Sequence, residues 1–359
     1  MHRWWHGDGH HCGAHLKSDD LRITQVRPLI APAVLMEEIP LTAAAAEFVA
    51  ASRRAAESVL DGRDPRLLLV VGPCSIHDPS AALEYADRLR ALAERVKSAL
   101  LVVMRVYFEK PRTVTGWKGL INDPGLDGSY RINHGLRLAR GLLAEIAARE
   151  LPAGTEFLDT TFGQFYADLV SWGAIGARTA ESQVHRELAS GLSMPVGIKN
   201  RTDGDVRVAV DAIRAARAKH LFPSLTKEGA AAILETSGNP YAHLVLRGGA
   251  KPNYDEASLG AAAALLREHA LLDAIMVDCS HANSERDPLR QRFVALAVLA
   301  QRRAGQGALR GLMLESNLVG GKQEPSARPL TYGQSVTDAC LGWDASERLV
   351  LELADALAR

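Results

Sequence analysis

Short apolar runs, each ending in a metal-ligand residue or a cation, are the feature that most constrains this chain of 359 residues. The runs are continuous rather than alternating, and they are rich in Val, Ile and Leu. Such runs are typical of strands buried on both faces of a parallel sheet. Eight candidates occur, at residues 67–72, 101–104, 155–158, 174–178, 195–198, 243–246, 275–277 and 311–314.

The alternation of eight strands with helices predicts an α/β fold, a (β/α)8 TIM barrel. Helices are expected at residues 81–96, 132–149 and 205–219, and a closing amphipathic helix at 345–357. Residues 221–233 predict a small inserted hairpin after the fifth strand. In this fold the active site lies where the strands end, so the residues that follow the apolar runs are the functional candidates.

Three stretches divide the chain. Residues 1–18 contain His2, His6, His10, His11 and His15, and we expect a disordered tail without a specific role. Residues 19–66 predict an N-terminal extension for assembly or regulation, with a β-like piece at Leu21–Ile23 and a helix at Thr42–Leu60. Residues 67–359 are the predicted catalytic barrel.

Composition excludes several classes of protein. The formal net charge is +0 at pH 7, so no overall field attracts nucleic acid or a membrane surface. No apolar run reaches the length of a membrane span, and residues 1–6 lack the apolar core of a signal peptide. With 4 cysteines in so long a chain, a disulfide scaffold is not expected. We therefore expect a cytoplasmic protein.

Four residues predict a metal site: Cys74, His281, Glu315 and Asp338. Three of them follow predicted strands, and a barrel would bring all four to one end. Alone, a cysteine after a strand is usually core and an aspartate before a helix is usually an N-cap. Together they form a mixed soft and hard ligand set that suits a divalent ion, Mn first, with Fe, Co or Zn as alternatives, better than Mg or Ca.

Six cations follow the strands and predict an anion site. Close positive charges repel one another unless anions lie between them, so we expect small, multiply anionic, phosphorylated substrates. No nucleotide-binding glycine motif occurs. Carbon–carbon bond formation onto an aldehyde fits best, and phosphate hydrolysis and isomerisation remain open. The six cations are Arg105, Lys110, Arg112, Arg178, Lys199 and Arg247.

The same residues lie in blocks that match a known family. The blocks are Gly72-Pro73-Cys74-Ser75-Ile76-His77-Asp78, Lys110-Pro111-Arg112-Thr113, Gly116-Trp117-Lys118-Gly119-Leu120, Gly176-Ala177-Arg178-Thr179, Ile198-Lys199-Asn200, Leu246-Arg247-Gly248-Gly249, Asp278-Cys279-Ser280-His281, Glu315-Ser316-Asn317 and Thr337-Asp338-Ala339-Cys340. From about residue 19 to the C-terminus the chain resembles the type I 3-deoxy-D-arabino-heptulosonate 7-phosphate (DAHP) synthases of the feedback-regulated bacterial and yeast kind.

The resemblance implies a reaction and a site. It implies condensation of phosphoenolpyruvate with erythrose 4-phosphate, the first step of the shikimate pathway, in which His281 and Asp338 serve both as metal ligands and in catalysis. Lys110 is expected to transfer a proton, and Glu156 to handle water or a proton. Phosphoenolpyruvate is expected to contact Arg105, Lys110, Ala177, Arg178, Lys199 and Arg247, and erythrose 4-phosphate is expected to contact Arg112 and Thr113.

Two alternative functions agree less well with the sequence. A sister synthase that uses arabinose 5-phosphate to make an octulosonate phosphate shares the barrel, but it carries an Asn-Arg-Ser motif where this chain has Lys110-Pro111-Arg112-Thr113. A non-catalytic barrel that senses an aromatic amino acid would have lost a metal ligand or Lys110, and neither is lost. Function has to be argued from the site, and here the site is whole.

The resemblance also implies regulation and assembly. An aromatic amino acid is expected to bind away from the active site, with tryptophan first and phenylalanine next, because residues 160–165 and 238–241 look closer to the tryptophan-sensitive isoenzymes. A glycine at position 163 leaves room for a bulky ring. The family further implies a homodimer or homotetramer. The candidate effector residues are Asp19, Asp20, Gly163, Gln164, Ser193 and Ser224.

Overall fold

The computed structural model describes residues 19–358, so the predicted His-rich tail at residues 1–18 lies outside the described residues. The strands are β1 (Leu67–Gly72), β2 (Leu100–Arg105), β3 (Ala153–Glu156), β4 (Trp172–Ile175), β5 (Val196–Lys199), β6 (Leu221–Leu225), β7 (Ala231–Glu235), β8 (Ala242–Leu246), β9 (Ile275–Asp278), β10 (Leu309–Glu315), β11 (Val319–Lys322) and β12 (Gln334–Ser335). The α-helices are α1 (Pro32–Glu38), α2 (Ala43–Leu60), α3 (Pro79–Val96), α4 (Ile132–Ala148), α5 (Gly163–Tyr166), α6 (Gln183–Gly191), α7 (Arg207–Ala216), α8 (Glu256–Glu268), α9 (Gln291–Arg303) and α10 (Trp343–Ala358).

Eight parallel strands close into a barrel in the order β1-β10-β9-β8-β5-β4-β3-β2. The first and last barrel strands pair along their length, with Gly72 opposite Glu315. Every barrel strand runs in the same direction, so their carboxyl ends share one end of the barrel. The predicted (β/α)8 fold is confirmed.

The barrel interior is a packed core. Val70, Tyr107, Trp172 and Met313 are buried among the side chains that fill it. Leu60, at the end of α2, packs with the same cluster, which places α2 against the end of the barrel where β1 begins. The opposite end, where the strands finish, is therefore the end that a functional site can occupy.

The inserted element after the fifth barrel strand is an antiparallel hairpin of β6 and β7. It contacts the N-terminal helices, because the backbone N–H of Ala33 in α1 donates to the carbonyl of Lys227 at 2.6 Å. Farther along, Thr42 caps α2 by accepting a hydrogen bond from Ala45 N at 3.2 Å, as expected for a threonine before a helix. The boundary predicted between extension and barrel at residue 67 stays a prediction.

Three expectations need correction. Residues 21–23 do not form a strand; the chain turns at residues 21–22, and the apolar side chains of Leu21 and Ile23 remain exposed. The third and fourth strands begin two residues earlier than expected, because Gly154 and Gly173 interrupt the apolar pattern near the start of each strand. The small sheet of β11 and β12 was not predicted, since its strands lack buried apolar residues.

Within residues 19–358, no helix is both long and apolar enough to cross a membrane.

Candidate active site

A cavity of about 380 Å³ lies at the carboxyl ends of the barrel strands. Cys74 is fully buried beneath it, and Thr113 is exposed and does not line it. The structure thus brings eleven of the thirteen predicted catalytic, substrate and metal residues to one cavity wall. These are Arg105, Lys110, Arg112, Glu156, Ala177, Arg178, Lys199, Arg247, His281, Glu315 and Asp338.

Three of the predicted metal ligands form one tight group. Ligand atoms of Cys74, Glu315 and Asp338 all lie within 4.8 Å of one another. The fourth, His281, is adjacent, with its Nε2 atom 3.8 Å from Oε1 of Glu315. One sulfur, one imidazole nitrogen and carboxylate oxygens form a donor set that fits a divalent transition-metal ion.

Cations contact this group directly. Nζ of Lys110 lies 2.9 Å from Sγ of Cys74, and the guanidinium of Arg105 donates to Oε1 of Glu315 at 2.9 Å. Burial opposes ionisation of Asp338, but the charges of Lys110 and His281 outweigh it and hold the pKa of that carboxyl below its usual value. The carboxyl of Asp338 therefore stays charged, as a metal ligand must be.

The pKa of the Cys74 thiol shifts in the opposite direction from that of Asp338, so that the neutral form is favoured. Burial, together with the negative charge of Glu315, raises the pKa of Cys74 to about 11. A coordinated thiol is deprotonated outright, so a bound ion would reverse this shift. The thiol and the ion are coupled, and metal binding at this group would release a proton.

Asp278 is a candidate functional residue that the sequence argument did not single out. It is fully buried at the end of β9, and its Oδ2 atom lies 2.9 Å from Nζ of Lys199 and 3.0 Å from Nδ1 of His281. Burial penalises its charge, but His281 and Lys199 outweigh that penalty and hold the pKa of Asp278 well below its usual value. A buried acidic residue at the end of a strand was the available signal.

Glu156 ends β3 and points into space left by a glycine. A Cβ added at Gly176 would lie 2.3 Å from Oε1 of Glu156, far closer than real contacts allow. Glu156 is 7% exposed and lines the cavity. Any side chain at position 176 would therefore displace this carboxylate from the site.

Three cations form the predicted phosphoenolpyruvate end of the cavity: Arg178, Lys199 and Arg247. The backbone of Arg247 is fixed because its N–H donates to Oδ1 of Asn200 at 2.8 Å. Burial lowers the pKa of Arg247, and the charge of Arg178 lowers it further. Mutual repulsion among fixed cations makes this end of the cavity receptive to an anion.

The predicted erythrose 4-phosphate contacts lie on an exposed loop. Nε of Arg112 donates to the carbonyl of Trp117 at 2.7 Å, which orients its guanidinium. Arg286, Gln291 and Lys322 line the same cavity and were missed, because they follow the strands by several residues. Their signal in the sequence is only an isolated polar residue, which is common without any function.

Four candidate effector residues lie on elements that contact one another. Gly163 and Gln164 begin α5, Ser193 follows α6 and Ser224 lies on β6. Nζ of Lys227, in the hairpin turn, donates to the carbonyl of Gln164 at 2.6 Å. In contrast, within residues 19–358 the exposed candidates Asp19 and Asp20 make only local hydrogen bonds. Their role as effector ligands stays a prediction.

A closed α/β barrel with clustered cations and a metal-ligand group at its strand ends is a barrel enzyme built for small anionic substrates. The family model described as "DAHP synthetase I family" matches residues 39–351, and the chain belongs to that family. It is therefore an enzyme, a 3-deoxy-7-phosphoheptulonate synthase, and the predicted resemblance is confirmed.

Curated relatives agree with the family. The chain is 54% identical over 342 residues to "Phospho-2-dehydro-3-deoxyheptonate aldolase, Trp-sensitive" of Escherichia coli K12, covering 95% of this chain and 98% of the relative. It is also 54% identical, with the same coverage, to the Phe-sensitive enzyme of that organism. A solved structure of phospho-2-dehydro-3-deoxyheptonate aldolase from Francisella tularensis superposes with a TM-score of 0.92 at 48% identity, over 93% of this chain and 98% of that one.

Proposed function

We propose that the protein joins phosphoenolpyruvate to erythrose 4-phosphate in a reaction that requires a divalent metal ion and is inhibited by an aromatic amino acid. The observation that carries this proposal is that the proposed metal ligands and the cations that would bind phosphate lie at one cavity. The Cys74, Glu315 and Asp338 group lies beside Lys110, and the phosphate-binding cations line the same space.

The cations hold and orient phosphoenolpyruvate. Arg178, Lys199 and Arg247 bind its phosphate and carboxylate, and guanidinium groups do so with two parallel hydrogen bonds. Arg112 and Thr113 bind the phosphate of erythrose 4-phosphate, which places the aldehyde toward Lys110. Fixing both substrates in this geometry removes much of the entropic cost of a two-substrate reaction.

The reaction then forms a C–C bond and a C–O bond and breaks the C–O bond to phosphate. C3 of phosphoenolpyruvate attacks the aldehyde carbon, and Lys110 gives a proton to the new hydroxyl oxygen. Water adds at C2 and Glu156 accepts one proton from it. Phosphate then leaves with cleavage of its C–O bond and takes the proton of the C2 hydroxyl, which becomes the ketone. A bound divalent ion, Mn first and Fe, Co or Zn otherwise, would polarise the aldehyde as a Lewis acid.

Regulation and assembly complete the proposal. Tryptophan is the first candidate inhibitor and phenylalanine the next, since the relatives named above are described as Trp-sensitive and Phe-sensitive. Gly163, Gln164, Ser193 and Ser224 form its binding site. Asp19 and Asp20 reach that site in a homodimer or homotetramer, and the protein works in the cytoplasm.

The test is an assay of phosphate release on protein stripped with a chelator and then given Mn²⁺. Phosphoenolpyruvate is supplied with erythrose 4-phosphate or with arabinose 5-phosphate, and tryptophan, phenylalanine and tyrosine are added in parallel. We expect metal-dependent turnover with erythrose 4-phosphate alone. Turnover only with arabinose 5-phosphate, or with neither sugar, would contradict the proposal.

The role of Lys110 has its own test. Lys110→Met keeps the length of the side chain but removes the proton donor, so kcat should fall by about 10²–10⁴-fold. Single-turnover kinetics measure the chemical step directly. Near-normal turnover in Lys110→Met would rule out this role.

A further inference from the structure

The turn after β9 has an unusual backbone. Three of its residues are not glycine and yet lie in the left-handed region, His281 at φ 56°, Glu285 at φ 52° and Arg286 at φ 65°. L-residues adopt this region at a cost, and residues held there cluster at functional sites. The backbone N–H of Arg286 donates to the carbonyl of His281 at 2.8 Å, which closes the turn between these two residues.

Arg286 lines the cavity and remains exposed, which places it at the cavity mouth. The acidic residue beside it is engaged elsewhere, because Glu285 pairs with Arg290. Among the ion pairs within residues 19–358, none includes Arg286. Its guanidinium therefore faces the cavity without a carboxylate to neutralise it.

Arg286 belongs with the phosphoenolpyruvate end of the cavity. Burial lowers the pKa of Arg247, and after it the positive charges of Arg178 and Arg286 act in the same direction. The packing agrees, because Nδ2 of Asn283 in the same turn donates at 3.3 Å to the carbonyl of Leu246, the residue before Arg247. Three arginines around one space repel each other until an anion with more than one charge binds between them.

We propose that Arg286 is a further substrate-binding residue, which contacts the phosphate group of phosphoenolpyruvate at the cavity mouth and the inorganic phosphate formed from it. A phosphate carries about two negative charges and accepts parallel hydrogen bonds from a guanidinium fork. Arg178 and Arg247 hold this group from the strand ends, and Arg286 closes over it from the turn. This inference rests on the proposed function.

The test compares Arg286→Gln and Arg286→Lys with a control of equal charge change, Arg292→Gln. Arg292 lies on α9 and pairs with Glu352, and it does not line the cavity. Calorimetry on the Mn²⁺-loaded enzyme measures the Kd of phosphoenolpyruvate and of inorganic phosphate without any sugar. Steady-state kinetics then give KM for each substrate.

In Arg286→Gln we expect both Kd values and KM for phosphoenolpyruvate to rise about tenfold, the loss expected for one charge-assisted contact. KM for erythrose 4-phosphate and Tm should stay near wild type. Arg286→Lys should lose less affinity, because it keeps the charge but not the fork. The control should match wild type.

Three outcomes would overturn the inference. They are an unchanged Kd for phosphoenolpyruvate in Arg286→Gln, an equal loss in Arg292→Gln, and a rise confined to KM for erythrose 4-phosphate. Failure of the proposed function is a separate result, since it would appear as an inactive wild-type enzyme with these two substrates.

Discussion

Asp278 shows how one buried carboxylate can fix two functional side chains. It accepts from Nζ of Lys199 at 2.9 Å, it lies 3.0 Å from Nδ1 of His281, and the hydroxyl of Ser280 donates to it at 2.5 Å. With Nδ1 of His281 held in this way, Nε2 faces the metal-ligand group. Carboxylates that orient a metal-binding imidazole in this way tune the ligand from outside the coordination shell.

We predict that Asp278→Asn weakens metal binding by about 10–100-fold, the usual cost of losing such a partner. The variant also leaves Lys199 buried without its counter-ion, so Tm should fall. Calorimetric titration with Mn²⁺ measures the affinity. Asp273→Asn is the control, since Asp273 pairs with the exposed Arg267. Unchanged Mn²⁺ affinity in Asp278→Asn would show that His281 needs no such support.

Glu109 is a second buried acid, and it has no cation for a partner among the described residues. It is 2% exposed, and both of its carboxylate oxygens lie 3.3 Å from the backbone N–H of Asp159. Burial first, and the charge of Asp159 second, raise the pKa of Glu109 to about 8. The folded protein therefore holds a proton on Glu109 at pH values where the unfolded chain has lost it.

The sign of the resulting pH dependence follows from this difference. The contribution of Glu109 to stability is fully present below its unfolded pKa of 4.5 and is lost as pH rises to about 8. We predict that Glu109→Gln, which stays neutral, is more stable than wild type by a few kcal/mol above pH 8, at about 1.4 kcal/mol per pKa unit. Urea unfolding from pH 5 to pH 9 measures it, with the exposed Glu268→Gln as control. Parallel curves for wild type and Glu109→Gln would refute the shift.

At the scale of elements, the β6–β7 hairpin contacts two segments distant in sequence. Lys227, in its turn, accepts a hydrogen bond from Ala33 N through its carbonyl at 2.6 Å and donates from Nζ to Gln164 O at 2.6 Å. The hairpin thereby joins α1 to α5. α5 follows β3, which ends in Glu156, so this chain of contacts runs from the N-terminal extension toward the active site.

We predict that Lys227→Met separates the hairpin from α5 and raises the half-inhibitory concentration of tryptophan about tenfold, within the usual range of coupling energies. The uninhibited kcat should be retained, because Lys227 does not line the active-site cavity. Lys219→Met is the control, since Lys219 pairs only with the exposed Glu235. Equal inhibition of both variants and wild type would exclude this contact from regulation.

The sequence predicted the barrel well because its strands are apolar and buried on both faces. Both predicted ends of β1 agree with the structure. The hairpin was predicted as well, but it ends two residues later than expected. Most of the cavity wall followed as well, since residues at strand ends converge by topology. Leu21–Ile23 was wrong, because alternating apolar residues in an exposed segment imitate a strand. Asp278 and Arg286 required the three-dimensional contacts, which no local pattern encodes.

At the scale of the whole molecule, the proposed metal site joins parts of the chain that are far apart in sequence. Cys74 follows β1, Glu315 ends β10, and Asp338 precedes α10. An ion that binds only the folded state stabilises it by about 2.7 kcal/mol at a hundredfold excess over Kd. It does so by holding together the segments that follow the first and last barrel strands.

We predict that a chelator lowers Tm by about 3–4 °C relative to protein saturated with Mn²⁺ at that excess, given the unfolding entropy of a chain of this size. Differential scanning calorimetry measures the change, and added Mn²⁺ should restore Tm. Cys74→Ser serves as control, because its Tm should respond much less to either addition. Identical Tm values for chelated and loaded wild type would argue against a metal ion at this group.

The pairing of Gly72 with Glu315 affects how the protein folds during its synthesis. A ribosome releases β1 early and β10 late, and domains fold as their residues emerge. Cys74 therefore leaves the ribosome long before Glu315 and Asp338, and the three side chains can come together only after residue 338 has left the exit tunnel. The proposed metal site cannot assemble in advance, so a translation product that stops short of Asp338 lacks one of its four proposed ligands.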